Sequence, residues 1–146
     1  MTILDLLKAD HDKVAKLLKQ LEETTERAEK TRTEVFTQMK DELTVHAEFE
    51  EQRFYPTLKE EDESEDITRE GYEEHHVIKV LLEEIAAMDP ADPQWLAKLT
   101  VLKENIEHHV EEEEGEMFAD AKKVYTKEEL EALGVEYEEV KKAALK

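Results

Sequence analysis

Leu4, Leu7, Val14, Leu18 and Leu21 recur at intervals of mostly three and four, the period of a helix with one buried face. They predict a first helix over about 2–29, started by Thr2 with Asp5 three residues on. Phe36, Met39, Leu43 and Phe54 predict a second over about 33–60, with Pro56 loosening its last turn. Ile67, Ile78, Leu82 and Ile85 predict a third over about 66–88, which stops at MDPADP because its prolines and aspartates break helices. Asp92 then supplies an N-cap and Pro93 a first helical residue for a fourth over about 92–122, carrying Trp95, Leu99, Leu102, Ile106 and Met117. Thr126 and Glu129 form a capping-box pair, opening a short fifth helix over about 127–143, in which Gly134 reads as a terminating residue.

Four long amphipathic helices joined by short links predict an all-α, up-down-up-down four-helix bundle with the short helix against it. An extended coiled-coil dimer fits less well, because the stripes restart in different phases after each breaker. Composition agrees with the helical reading: the 146 residues include only three Gly and three Pro. Residues 1–146 are expected to form a single domain with one core. The formal net charge of −20 opposes binding to nucleic-acid phosphates or anionic lipid. No cysteine is present, so thiolate ligands, disulfides and cysteine nucleophiles are excluded, and any metal site must use nitrogen and oxygen. The first residues lack a basic leader region and no stretch has the apolar length of a membrane span, giving an expectation of a cytoplasmic location.

Candidate chemistry enters through an internal repeat. DHDKVAKLLKQL from Asp10 aligns with EHHVIKVLLEEI from Glu74, and HAEFEEQRFY from His46 aligns with HVEEEEGEMF from His109. The two histidines of each half are separated by 35 and 34 residues, as in a duplicated helical hairpin. His46 and Glu50 continue the apolar stripe of the second helix; His109 and Glu113 continue that of the fourth. His11 lies between Leu7 and Val14, and His75 faces inward ahead of Ile78. At about 1.5 Å of rise per residue all six can reach one level of the bundle, and residues four apart share a helix face.

A lone inward histidine is most often a satisfied core residue, and a run of glutamates is most often a solvated face. Six inward polar groups at repeat-matched positions are poorly explained that way, because burying them unpaired costs several kcal/mol each. Two cations bridged by carboxylates satisfy all of them; iron is the first expectation, with manganese or zinc as alternatives. His76, His108, Glu111, Glu112 and Glu114 are expected to be solvated or behind the ligands, Glu51 and Glu114 match in the repeat as candidates to orient a ligand, and Tyr72, one turn before His75, is expected in core packing rather than at the site.

At these residues the chain resembles the hemerythrin family, specifically bacterial hemerythrin-like proteins of the HHE cation-binding type, from Asp5 to about Phe118. The resemblance implies a bundle with an oxo- or hydroxo-bridged di-iron centre on His11, His46, Glu50, His75, His109 and Glu113. Oxygen carriers of that family have a further histidine where this chain has Lys79 and an aspartate where it has Glu114. Four nitrogen ligands imply a nearly symmetric, open metal pair, one that reacts with oxygen, peroxide or nitric oxide in oxidative or nitrosative stress. The expected partners are such a small ligand and a redox donor, and the protein is expected to be a monomer or homodimer. Peroxide decomposition or nitric oxide reduction is the enzymatic form of this reading; oxygen or iron binding or sensing without turnover is the alternative.

Overall fold

The computed structural model describes residues 1–145, and among them every regular element is helical. The order is α1 (Ile3–Glu22), α2 (Glu29–Phe49), a π-helical turn (Glu50–Phe54), α3 (Tyr55–Glu60), α4 (Glu65–Ala86), α5 (Pro93–Glu112), a second π-helical turn (Glu113–Met117), α6 (Phe118–Val124) and α7 (Lys127–Ala144). With the π-turns continuing their helices, four antiparallel rods form the up-down-up-down bundle. The first pairs with the second and the third with the fourth, while α7 lies against α1 and α2.

Local chemistry sets the ends. The Thr2 backbone N–H donates to Asp5, Gln94 N–H donates to the Asp92 carboxylate, and Thr126 and Glu129 close a reciprocal capping box. The first helix stops at Glu22, seven residues before its expected end, and the second starts at Glu29. The Thr24 hydroxyl turns back onto the Leu21 carbonyl, and buried Arg32 donates to the Thr24 hydroxyl and to the Thr24 and Pro90 carbonyls, closing this end of the bundle. Pro56 directly follows the first π-turn, in the short α3 that ends this rod at Glu60, close to the expected last turn.

Gly134 does not terminate a helix: α7 runs through it to Ala144. Its role is close approach. A Cβ there would lie 2.9 Å from the Met1 carbonyl oxygen and 3.1 Å from the Ile3 nitrogen, both backbone atoms. Gly134→Ala is therefore expected to push α7 off the start of α1 and cost about 1–3 kcal/mol, read as a lower urea midpoint at unchanged helical content. An unchanged midpoint would mean that the two backbones are free to separate.

The expected single core is in fact two. One apolar cluster gathers Val14, Leu18, Leu21, Phe36, Met39, Trp95, Leu99 and Leu102 among others; the second gathers Ile3, Leu7, Phe49, Phe54, Leu58, Met117 and Tyr137. Between them lies a layer of buried imidazoles and carboxylates.

Candidate metal centre

All six predicted ligands meet in that layer. His11, His46, His75 and His109 are 5–8% exposed, while Glu50 and Glu113 are completely buried. The histidines form two pairs about the carboxylates. Glu113 Oε1 is 3.2 Å from His11 Nε2 and 3.7 Å from His46 Nε2, and Glu113 Oε2 is 3.1 Å from His109 Nε2. Glu50 Oε1 is 3.2 Å from His46 Nε2 and 3.1 Å from His75 Nε2. Two groups follow that could each hold a cation, His11–His46–Glu113 and Glu50–His75–His109–Glu113, with Glu113 common to both.

Every imidazole is held from behind. The ring Nδ1 positions lie 2.7 Å from Glu114 for His11, 2.9 Å from Asp10 for His46, 2.9 Å from Glu51 for His75 and 2.6 Å from Glu74 for His109. A carboxylate acceptor at Nδ1 draws the proton there and turns the Nε2 lone pair inward, the arrangement that orients metal-ligating histidines. Glu51 and Glu114 thus lie behind His75 and His11, where the repeat reading would have them orient a ligand. Asp10 and Glu74 were missed, though the repeat aligns them too; each precedes one histidine yet binds another in its own half.

The arrangement fits a cation. His11 Nε2, His46 Nε2, Glu50 Oε2 and Glu113 Oε1 are buried and have no hydrogen-bond partner. Inward lone pairs facing carboxylate oxygens at about 3 Å repel unless a positive charge lies among them. Without metal, protons take that role. Burial would lower the His109 pKa, but the hydrogen bonds its ring donates to Glu113 and Glu74 raise it to about 10. His46 and His75 are also raised, the Glu50 charge and the Asp10 contact outweighing burial at His46, and Glu50 with Glu51 outweighing it at His75. Burial opposes a charged Glu113, yet its hydrogen bonds hold it well below the usual carboxylate range.

Tyr55 was not predicted. Its hydroxyl donates to Glu113 Oε2 at 2.8 Å and lies 3.3 Å from His75 Nε2 and 3.4 Å from His109 Nε2. Burial and the Glu113 and Glu50 charges raise its pKa well above that of free phenol. Gly71 leaves the room, since a Cβ there would lie 3.2 Å from the Tyr55 hydroxyl. The repeat aligns Tyr55 with Phe118, and the two stack on His75 and His11 respectively. One half therefore adds a hydroxyl beside its histidine pair where the other has none. Tyr72 does not reach the ligand atoms but packs edge-on against Tyr55, with its hydroxyl 3.3 Å from the Glu51 carbonyl.

Both π-turns begin at the central carboxylates, Glu50 and Glu113. Each inserts a residue into the helical register, and such insertions are frequent at functional sites. Beyond the first, Phe54 and Tyr55 are both buried, Tyr55 aimed at the histidines. The C-terminal helix is also wired in. Asp10, behind His46, accepts from the Tyr137 hydroxyl and from Lys141. Burial opposes charge on Asp10, but His46, Lys141 and Tyr137 hold its pKa at about 2. His108 stays outside, 64% exposed, and joins Glu112 and the far oxygen of Glu74, the residue behind His109, in a group at the surface.

Comparison with known proteins agrees with this geometry. Residues 2–121 match the Hemerythrin HHE cation binding domain family. A protein of Nostoc sp. (strain PCC 7120) named as a DNA nickase is 33% identical over 141 residues, covering 97% of this chain and 39% of that protein. The chain thus spans about two-fifths of that relative. The crystal structure of a hemerythrin HHE cation binding domain-containing protein from Mycobacterium kansasii superposes with a TM-score of 0.83 at 24% identity, over 99% of this chain and 90% of that one. At that identity the likeness shows the fold.

Proposed function

From the premise that this chain belongs to the hemerythrin HHE cation-binding domain family, we propose that its central layer holds two iron ions and reacts with small oxidants: oxygen, peroxide or nitric oxide. The observation that carries the reading is the convergence of four buried Nε2 atoms, each backed by its own carboxylate, on two buried glutamates. His11 and His46 would hold one ion, His75 and His109 the other, with Glu50 and Glu113 between them and Tyr55 beside the second. Nitrogen and carboxylate donors of this kind suit iron, and manganese or zinc less fully, since zinc offers no redox change.

Bound iron would supply the redox centre and positions open to a small oxidant. The chain's own residues set the surroundings. The Nδ1 carboxylates keep each imidazole in one tautomer and raise its basicity. Tyr55 holds a proton at its hydroxyl, directed at Glu113, within reach of the second pair. The apolar clusters close the layer from above and below. A role in oxidative or nitrosative stress follows from that reactivity, and a redox donor would be its partner.

Metal analysis of protein purified without added metal, with its near-ultraviolet spectrum, is the first test. About two irons per chain with oxo-bridge charge-transfer bands, followed by consumption of peroxide or nitric oxide, is the expected result. An intact iron centre inert to all three oxidants would overturn the reactivity. Reversible spectral change under oxygen without turnover would select the binding or sensing alternative. We infer also that DNA is not a partner of this domain, since its net charge is −20 and it covers only part of the nickase relative. Nicking of supercoiled plasmid by the chain alone would overturn that.

Tyr137→Phe tests the wiring to α7. Asp10 loses one donor while keeping His46 and Lys141, and the bound metal is expected to pass to a competing chelator about tenfold faster. An unchanged release rate would confine α7 to packing.

A further inference from the structure

A cavity of about 380 Å³ lies beside the four histidines, which form part of its wall. Beside them the inner wall is mainly aliphatic, with Val14, Leu43, Ile78, Leu82, Ile106 and Val110, and carries the Glu51 carboxylate next to His75. Its exposed lining residues come from α2 and α4, so its mouth lies between those helices. A water-sized group takes up about 30 Å³, so a diatomic molecule would fill on the order of a tenth of this space. The volume and the mainly apolar wall with a few convergent polar groups are those of a pocket for an organic ligand.

We propose that this cavity binds an uncharged, mainly aliphatic molecule of on the order of ten non-hydrogen atoms, its polar end toward the histidines. Three features select that class. The aliphatic part of the wall offers no hydrogen bonds along the chain of the ligand, and the polar groups gather at the histidine end, with Glu51, and at the mouth, with Thr44. Lys40 and Lys79 are offset by Asp41, Glu48, Glu51 and Glu83, so no cationic cluster waits for an anion. The net charge of −20 repels anions in general, while a cation would have to shed water against apolar side chains. An alkyl hydroperoxide fits this description where hydrogen peroxide leaves the space mostly unused. That the molecule is a substrate rests on the function proposed above; that the cavity holds it does not.

The test is calorimetric titration of the full chain, as purified and after metal removal, with 1-nonanol, an uncharged probe of the stated size. Saturable binding of one molecule per chain is expected, at least tenfold weaker in Ile78→Trp, whose indole occupies the cavity. Thr44→Trp, at the exposed mouth, serves if the Ile78 variant loses its helical signal. No saturable binding by the unsubstituted chain, or equal binding by a folded tryptophan variant, overturns the proposal. Iron with peroxide reactivity but no nonanol binding refutes this inference alone. Nonanol binding by a chain that takes up no metal leaves the cavity assignment standing and refutes the proposed function.

Discussion

Glu113→Ala is expected to strip the protein of metal, from about two ions per chain to nearly none, under our reading of the centre. Glu113 belongs to both candidate groups, and its two oxygens face different histidine pairs, so truncation removes a ligand from each ion at once. Glu50 does not replace it: its Oε1 faces His46 and His75, whereas the His11–His46 group has Glu113 as its carboxylate. The variant should also be less stable without metal, because the imidazoles lose their buried counter-charge. The cost is expected toward the lower end of about 3–5 kcal/mol, since an imidazole can release its proton. Mass-spectrometric metal content beside Glu48→Ala, an exposed glutamate, makes the comparison. A Glu113→Ala chain that keeps the unsubstituted metal content would end the bridging assignment.

Complete chelation is expected to lower the melting temperature by about 10 °C, with recovery on adding ferrous iron back. A ligand that binds only the folded chain stabilises it by about 4 kcal/mol when present at a thousandfold over its dissociation constant. For a chain of this size each kcal/mol shifts the midpoint by about 2–4 °C. The unfolded chain scatters the ligands along the sequence from His11 to Glu113, so it competes poorly for the ions. Scanning calorimetry of treated, untreated and reloaded protein gives the answer. Equal midpoints would mean that the polar layer is held by protons and hydrogen bonds alone, the metal-free reading of the same residues.

Much of this was legible in one dimension. Helical periodicity relates residues three and four apart, so the bundle, its four stripes and the inward direction of His46 with Glu50 and His109 with Glu113 follow from spacing alone. The repeat then placed His11 and His75 at the same level. Gly134 shows where local reasoning failed: its glycine character answers the backbone of α1 rather than the end of its own helix.

The sequence by itself determined the helices, their buried faces and the convergence of four histidines and two glutamates, because those depend on periodicity within each helix and on its duplication. Only the tertiary structure decided what surrounds them. The pairing of Asp10 with His46 and of Glu51 with His75, the π-turns that redirect the chain at both glutamates, and the reach of Tyr137 and Lys141 to Asp10 are relations between helices. The difference between Tyr55 and Phe118 was written in the repeat. Its meaning appeared only when packing set the Tyr55 hydroxyl against Glu113, because an interhelical hydrogen bond depends on ångström-scale placement that no periodicity encodes.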